Sequence, residues 1–299
     1  MSLELIHAVS APMGLGESPM WHPQEQLLYW VDIPGKSLHR LDPRTGEARH
    51  WDFPCEPACC AAVLGGGLLL GMRDGLWRFD PQTSKRHLLA EPPYDPAKER
   101  FNDGKADPHG RFWVGTIYEP REPALAALYR YADGEVKRMA GDITVSNGLG
   151  WSLDGQTLYW SDTKAHAIHA FDFNPADGSV SGRRLWRQFP VKQADQPLDT
   201  YGGRPDGAAV DSEGCYWVAM FEGQRLLRLS PQGETLQEMH LPVRCPTMPC
   251  FGGADLRTLY ITTAREKRPA AELAEQPLAG CVLAVRVPVP GLPTHWARL

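Results

Sequence analysis

An all-β fold, a six-bladed β-propeller with four-stranded antiparallel blades, is predicted by three observations. A strand–turn–strand module recurs six times, helical periodicity is nearly absent, and turn residues recur inside every copy. The module is LLYWVDIPGKSLHRLDPRTGE at 27–47, two apolar runs split by a short turn and closed by Asp-Pro. It returns as LLLGMRDGLWRFDPQTSK at 68–85 and as GRFWVGTIYEP to AALYRYADGEV at 110–136. Later copies fall at 154–180, 212–235 and 256–289. Each run is short and rich in Tyr, Trp, Val, Leu and Phe, which favour a pleated, half-buried surface. Asp-Pro or Ser-Pro at 42–43, 80–81 and 230–231 stands where the second strand of a copy must turn.

The opening strand ELIHAV (4–9) is expected to join the last sheet as its outer strand, closing the ring and removing exposed edges. One helix is expected, a turn or two within 266–280, bracketed by Pro269 and Pro277. Trp30, Trp113, Trp160 and Trp217 recur at one strand position per copy and are read as packing between blades. A TIM barrel requires helices between the strands, and a sandwich requires fewer and more even strands. Nothing resembles a linker, so residues 1–299 are read as one domain.

Composition excludes several classes. The 29 glycines and 27 prolines have no period of three, which rules out collagen. With 31 Lys and Arg against 36 Asp and Glu, the formal charge of −5 argues against nucleic acid as a partner. No apolar run approaches the roughly 18 residues of a membrane span. The start MSLELIHAVSAPMG is too polar for a secretory core, and seven cysteines in uneven clusters fit reduced thiols. A cytoplasmic protein, a monomer or a weak homo-oligomer, is expected.

In a propeller the innermost strand of each blade lines the central channel, so polar residues just before those strands converge. Four such phrases stand out: GESPMWHP (16–23), NDGKADPHG (102–110), SNGLGWSLDG (146–155) and PDGAAVDSEG (205–214). They offer Glu17, Asn102 with Asp103, Asn147 and Asp206. Two carboxylates meeting in a channel repel unless protonated, paired or bridged by a cation. Glu17 and Asp206 with the Asn147 carbonyl make a hard-oxygen set that suits Ca²⁺, Mg²⁺ or Mn²⁺ before softer ions, with Zn²⁺ not excluded. Taken singly, Asn-Gly and Asp-Gly are ordinary hairpin turns, and only their recurrence points to a site.

These phrases, with RFNDGKADPHGRFWVGT (100–116), DITVSNGLGWSLDGQTLYWSDT (142–163) and CFGGADLRTLYITTAR (250–265), carry a family likeness over nearly the whole chain. The chain resembles the SMP-30/gluconolactonase/luciferin-regenerating-enzyme family, six-bladed propellers that hydrolyse sugar lactones. The resemblance implies that Glu17, Asn147 and Asp206 are ligands of one divalent cation, Ca, Mg, Mn, Zn or Fe. It implies substrate binding by Arg100, Asn102 and Glu119, and Asp206 as both ligand and base. The implied reaction opens an aldonolactone, such as gluconolactone, to its acid. The cation polarises the carbonyl, and Asp206 or a metal-bound hydroxide supplies or activates the water. Alternatives are another lactone, an organophosphate-like ester, or a non-catalytic calcium-binding propeller.

Other constellations are weaker. No G-x-S-x-G elbow or H-E-x-x-H motif is present. His166 and His169, three apart, are expected at the surface or at a strand edge. His22 and His109 are read as structural, and the cysteines as small buried hydrophobes rather than zinc ligands. The loops 92–99, 118–126 and 190–204 are expected to decide specificity, the last being long enough for a lid.

Overall fold

The structure, a computed structural model, describes residues 5–7 and 12–299. Its first strand, β1 (Leu5–His7), belongs to the last blade. Blade one is β2 (Gly16–His22), β3 (Leu27–Asp32), β4 (Ser37–Leu41) and β5 (Ala48–Asp52). Blade two is β6 (Pro57–Ala62), β7 (Leu68–Met72), β8 (Gly75–Asp80) and β9 (Lys85–Ala90). Blade three is β10 (Glu99–Ala106), β11 (Phe112–Tyr118), β12 (Ala126–Ala132) and β13 (Glu135–Ile143). Blade four is β14 (Ser146–Trp151), β15 (Thr157–Asp162), β16 (Ala167–Phe173) and β17 (Val180–Gln188). Blade five is β18 (Arg204–Val210), β19 (Tyr216–Phe221), β20 (Arg225–Leu229) and β21 (Thr235–His240). Blade six takes β22 (Pro246–Gly252), β23 (Thr258–Thr263) and β24 (Leu283–Arg286), with β1 as its fourth strand. All six sheets are antiparallel meanders, as the repeated modules predict.

The inner strands β2, β6, β10, β14, β18 and β22 pack each against the next, and β22 against β2, so the blades form a ring. Closure comes from β1, whose Leu5 lies opposite Val285 and His7 opposite Leu283 on β24. The expected closing strand is therefore seen at residues 5–7, while 4, 8 and 9 of ELIHAV lie outside the described residues. Inner strands are covered on both faces, and β2 and β22 are buried at every position. Outer strands need no apolar alternation, which explains the polar sequence VSGRRLWRQ of β17.

The four recurring tryptophans sit on second strands and are among the largest fully buried side chains. Trp113 of blade three packs with Leu149 and Trp151 of blade four, and Trp217 with Phe251 and Leu259 of blade six. A buried indole N–H needs an acceptor. Trp113 Nε1 donates to Asp107 Oδ2 (3.0 Å) and Trp217 Nε1 to Asp211 Oδ2 (2.9 Å). Among the described residues the α-helix is α1 (Ala270–Glu275), begun after Pro269 as expected.

Two features position the site. Every inner strand breaks register with its neighbour, between Glu17 and Met20, Pro57 and Cys59, Phe101 and Gly104, Asn147 and Gly150, Pro205 and Ala208, and Pro246 and Met248. Such a bulge bends the strand and re-aims its side chains. The candidate residues therefore stand within the inner strands at these breaks, not just before them as expected. At the other end of the channel lies a cavity of about 390 Å³, lined in part by Lys105, Trp151, Met248, Leu292 and His295. The C-terminal segment spans that end, bonding through Pro290 O to Ser212 N–H (2.9 Å), through Ala297 N–H to Ala62 O (2.7 Å) and through Arg298 N–H to Gly110 O (2.8 Å).

Candidate active site

Four blades contribute. Glu17 comes from β2, Arg100, Asn102 and Asp103 from β10, Asn147 from β14 and Asp206 from β18, and all six are buried. Asn102 is the hinge of the arrangement. Its Nδ2 donates to Asn147 Oδ1 and to Ser146 O, both at 2.9 Å, tying blade three to blade four. Its Oδ1 accepts from Arg100 Nη1 (2.9 Å), which also donates to Phe101 O (2.9 Å). Asn147 Nδ2 donates to Thr163 Oγ1 (2.8 Å), which fixes the amide so that Oδ1 faces the channel. That side chain also hydrogen-bonds Asp206.

The backbone here is shaped for close approach. Gly148 has φ +63°, and a Cβ there would lie 2.4 Å from both Ser161 Oγ and Tyr216 OH. A glycine is required at this bulge.

The electrostatics are strongly unbalanced. Burial, and then the charges of Asp206 and Asp103, pushes the Glu17 carboxyl well above the usual carboxylate range. Burial, and then Asp103, pushes Asp206 up to about 8. Asp103 is raised by burial too, offset by Lys105 and by backbone N–H groups including that of Leu149 (3.0 Å from Oδ2). Lys105, itself lowered by burial, donates to Leu149 O and Ala208 O, lacing β10 to β14 and β18. Asp206 Oδ1 and Asp103 Oδ1 are buried without a hydrogen-bond partner among the described residues. Such orphaned acceptors, next to carboxylates that repel, fit a hard cation. Among the described residues no three His, Cys, Asp or Glu side chains form a metal-binding group.

The sequence placed most of the expected side chains together. Glu119 differs: it is exposed at the mouth and forms a two-pronged pair with Arg73 (2.9 and 3.1 Å), with Arg100 Nε 3.7 Å away. The expectation for His166 is corrected. It is buried in the turn after β15, with Nε2 2.5 Å from Tyr201 OH, because the 190–204 loop folds over it. His22 is structural as expected, its Nδ1 accepting from Glu25 N–H (3.1 Å). Cys59, Cys60, Cys215, Cys245 and Cys250 are buried. Sequence reasoning missed Thr163, Lys105, Arg121 and Arg204.

Comparison with known proteins identifies the family. The family model described as SMP-30/Gluconolactonase/LRE-like region matches residues 15–265. The chain belongs to this family. A relative in Pseudomonas putida, named 6-deoxy-6-sulfogluconolactonase, is 48% identical over 284 residues, 95% of this chain and 94% of that one. Human regucalcin is 34% identical over 277 residues, 90% of each chain. Among solved structures, a calcium-binding regucalcin from Agrobacterium tumefaciens superimposes with a TM-score of 0.92 at 26% identity, covering 99% of this chain and 98% of that one.

Proposed function

We propose that this propeller is a divalent-cation-dependent lactonase that opens a sugar-derived lactone, an aldonolactone, to the corresponding acid. The observation that carries the reading is the buried, unpartnered Oδ1 of Asp206 beside the Glu17 carboxyl and the Asn147 amide. Relatives named as a sulfogluconolactonase and as regucalcin support it. We read the six blades as one domain.

Glu17, Asn147 and Asp206 would hold the cation, which supplies an electrophile for the carbonyl and positive charge against the oxyanion. The Asp206 carboxylate orients the attacking water and accepts its proton. Asn102, held between Arg100 and Asn147, is placed to steady the substrate through its amide. Arg100 presents its remaining guanidinium donors to ring or chain hydroxyls and to the carboxylate product. Asn147 is kept in one orientation by Thr163 and Asn102, so that its carbonyl needs no reorganisation on binding.

The test is a pH-release assay over aldonolactones on chelated protein, with Ca²⁺, Mg²⁺, Mn²⁺, Zn²⁺ or Fe²⁺ restored singly. Rate is expected only with cation. Background hydrolysis on every lactone with every ion overturns the reading.

A further inference from the structure

Several arginines act electrostatically on one another near the acidic site. Arg100 feels the positive charges of Arg73 and Arg121 as well as the negative charges of Glu119 and Glu17. Arg121, exposed on the loop after β11, feels Arg204 more strongly than it feels Glu119. Its side chain makes no ion pair among the described residues. Its backbone is nonetheless pinned: φ is +68°, its N–H donates to Tyr118 O (2.9 Å), and its carbonyl accepts from Lys164 Nζ (3.1 Å).

Arg204 opens β18. Its guanidinium rests over the Phe221 ring (5.2 Å) and its Nη2 meets Glu222 Oε2 at 3.1 Å. Glu222 is shared, because its other oxygen is 3.0 Å from Arg268 Nη1. Arg204 Nε is buried without an acceptor. Arg204 thus shares Glu222 with Arg268, which also holds Glu272 (2.7 Å), and Arg121 has the Glu119 charge near it but no ion pair, so the two neighbouring cations are incompletely offset. Such a pair repels unless an anion lies between.

Resting on the lactonase reading, we infer that Arg121 and Arg204 form a subsite for an anionic group on the substrate, carried on the carbon farthest from the lactone carbonyl. Arg204 and Asp206 both stand on β18, and the Arg204 charge is felt at the Asp206 carboxyl. A short sugar skeleton with its carbonyl at the acidic site would bring its terminal substituent towards these arginines. A planar guanidinium pair favours a tetrahedral sulfonate or phosphate, each offering several oxygens. The preferred substrates are aldonolactones bearing such a group, and a neutral aldonolactone leaves the pair uncompensated.

The test compares kcat/KM for gluconolactone, 6-phosphogluconolactone, 6-deoxy-6-sulfogluconolactone and the carboxylate-bearing glucaro-1,4-lactone, on cation-loaded protein. The expected preference for sulfonate or phosphate over the neutral lactone is about 10-fold or more, mostly in KM, and shrinks as salt rises. Arg121→Gln, on the exposed loop, and Arg204→Gln should each cut kcat/KM for the anionic lactones about 10-fold more than for gluconolactone. Inorganic sulfate should compete with substrate in the native protein more strongly than in either variant. Equal kcat/KM for neutral and anionic lactones, or equal losses in the variants, overturns the subsite while leaving the lactonase reading intact. Cation-independent background rates on all four lactones defeat that reading itself.

Discussion

Asp206 stands where three buried carboxyl groups face one another, and its behaviour without cation follows from that crowding. Its folded-state pKa is raised, so in chelated protein it holds a proton that the unfolded chain has already lost. Its contribution to stability is then full below the ordinary carboxylate pKa, falls as pH rises towards about 8, and is flat beyond. Urea unfolding of chelated protein across that window should show the decline, and saturating cation should remove it. Asp206→Asn should lower lactone turnover by about 10²–10⁴-fold, and it should raise the melting temperature of chelated protein at about pH 9 by removing one like charge. An active, cation-dependent Asn variant would strip Asp206 of its role. At this scale the sequence was legible where a phrase recurs: Glu17, Asn102, Asn147 and Asp206 all stood in marked positions. Arg121 and Arg204 were not, because a lone arginine in a loop or strand carries no pattern, and only folding brings two of them to one mouth.

The second feature of the repeated phrases works at the scale of the hairpin. Asp107 to Gly110 and Asp211 to Gly214 are the turns that join inner strands to second strands. Asp211 is fully buried, accepting from Glu213 and Cys215 N–H (3.0 Å each), from Trp217 Nε1 and from Arg228 Nε (2.8 Å). Asp211→Ala leaves the Arg228 cation and the indole N–H without this acceptor, at a cost of about 3–5 kcal/mol. Asp154 makes the same kind of turn in the open, accepting from Ser152 Oγ (2.5 Å) and Gln156 N–H (3.0 Å). Asp154→Ala should cost about 1 kcal/mol or less. Chemical denaturation of the two variants checks the contrast. The sequence showed these turns as punctuation. Their role as anchors for the inter-blade tryptophans was hidden, since the indole and the carboxylate meet only across a turn.

For the molecule as a whole, six copies of one module and the predicted return of the opening strand were readable because strand alternation and turn chemistry are local. The C-terminal segment was not, since GLPTHWARL has no periodicity and is ordered by strands far away in the chain. Deleting residues 1–11 removes β1 and bares the β24 edge, so the truncated protein should melt lower and aggregate, measured by calorimetry and light scattering. Unchanged melting would mean that β1 contributes nothing to closure. The seam also orders events in the cell. A ribosome makes β1 before the other strands of the ring, yet its partner β24 emerges only after they have been translated. The earliest strand of the propeller is thus the last to dock, so the nascent ring carries an unmated strand while its other blades are made.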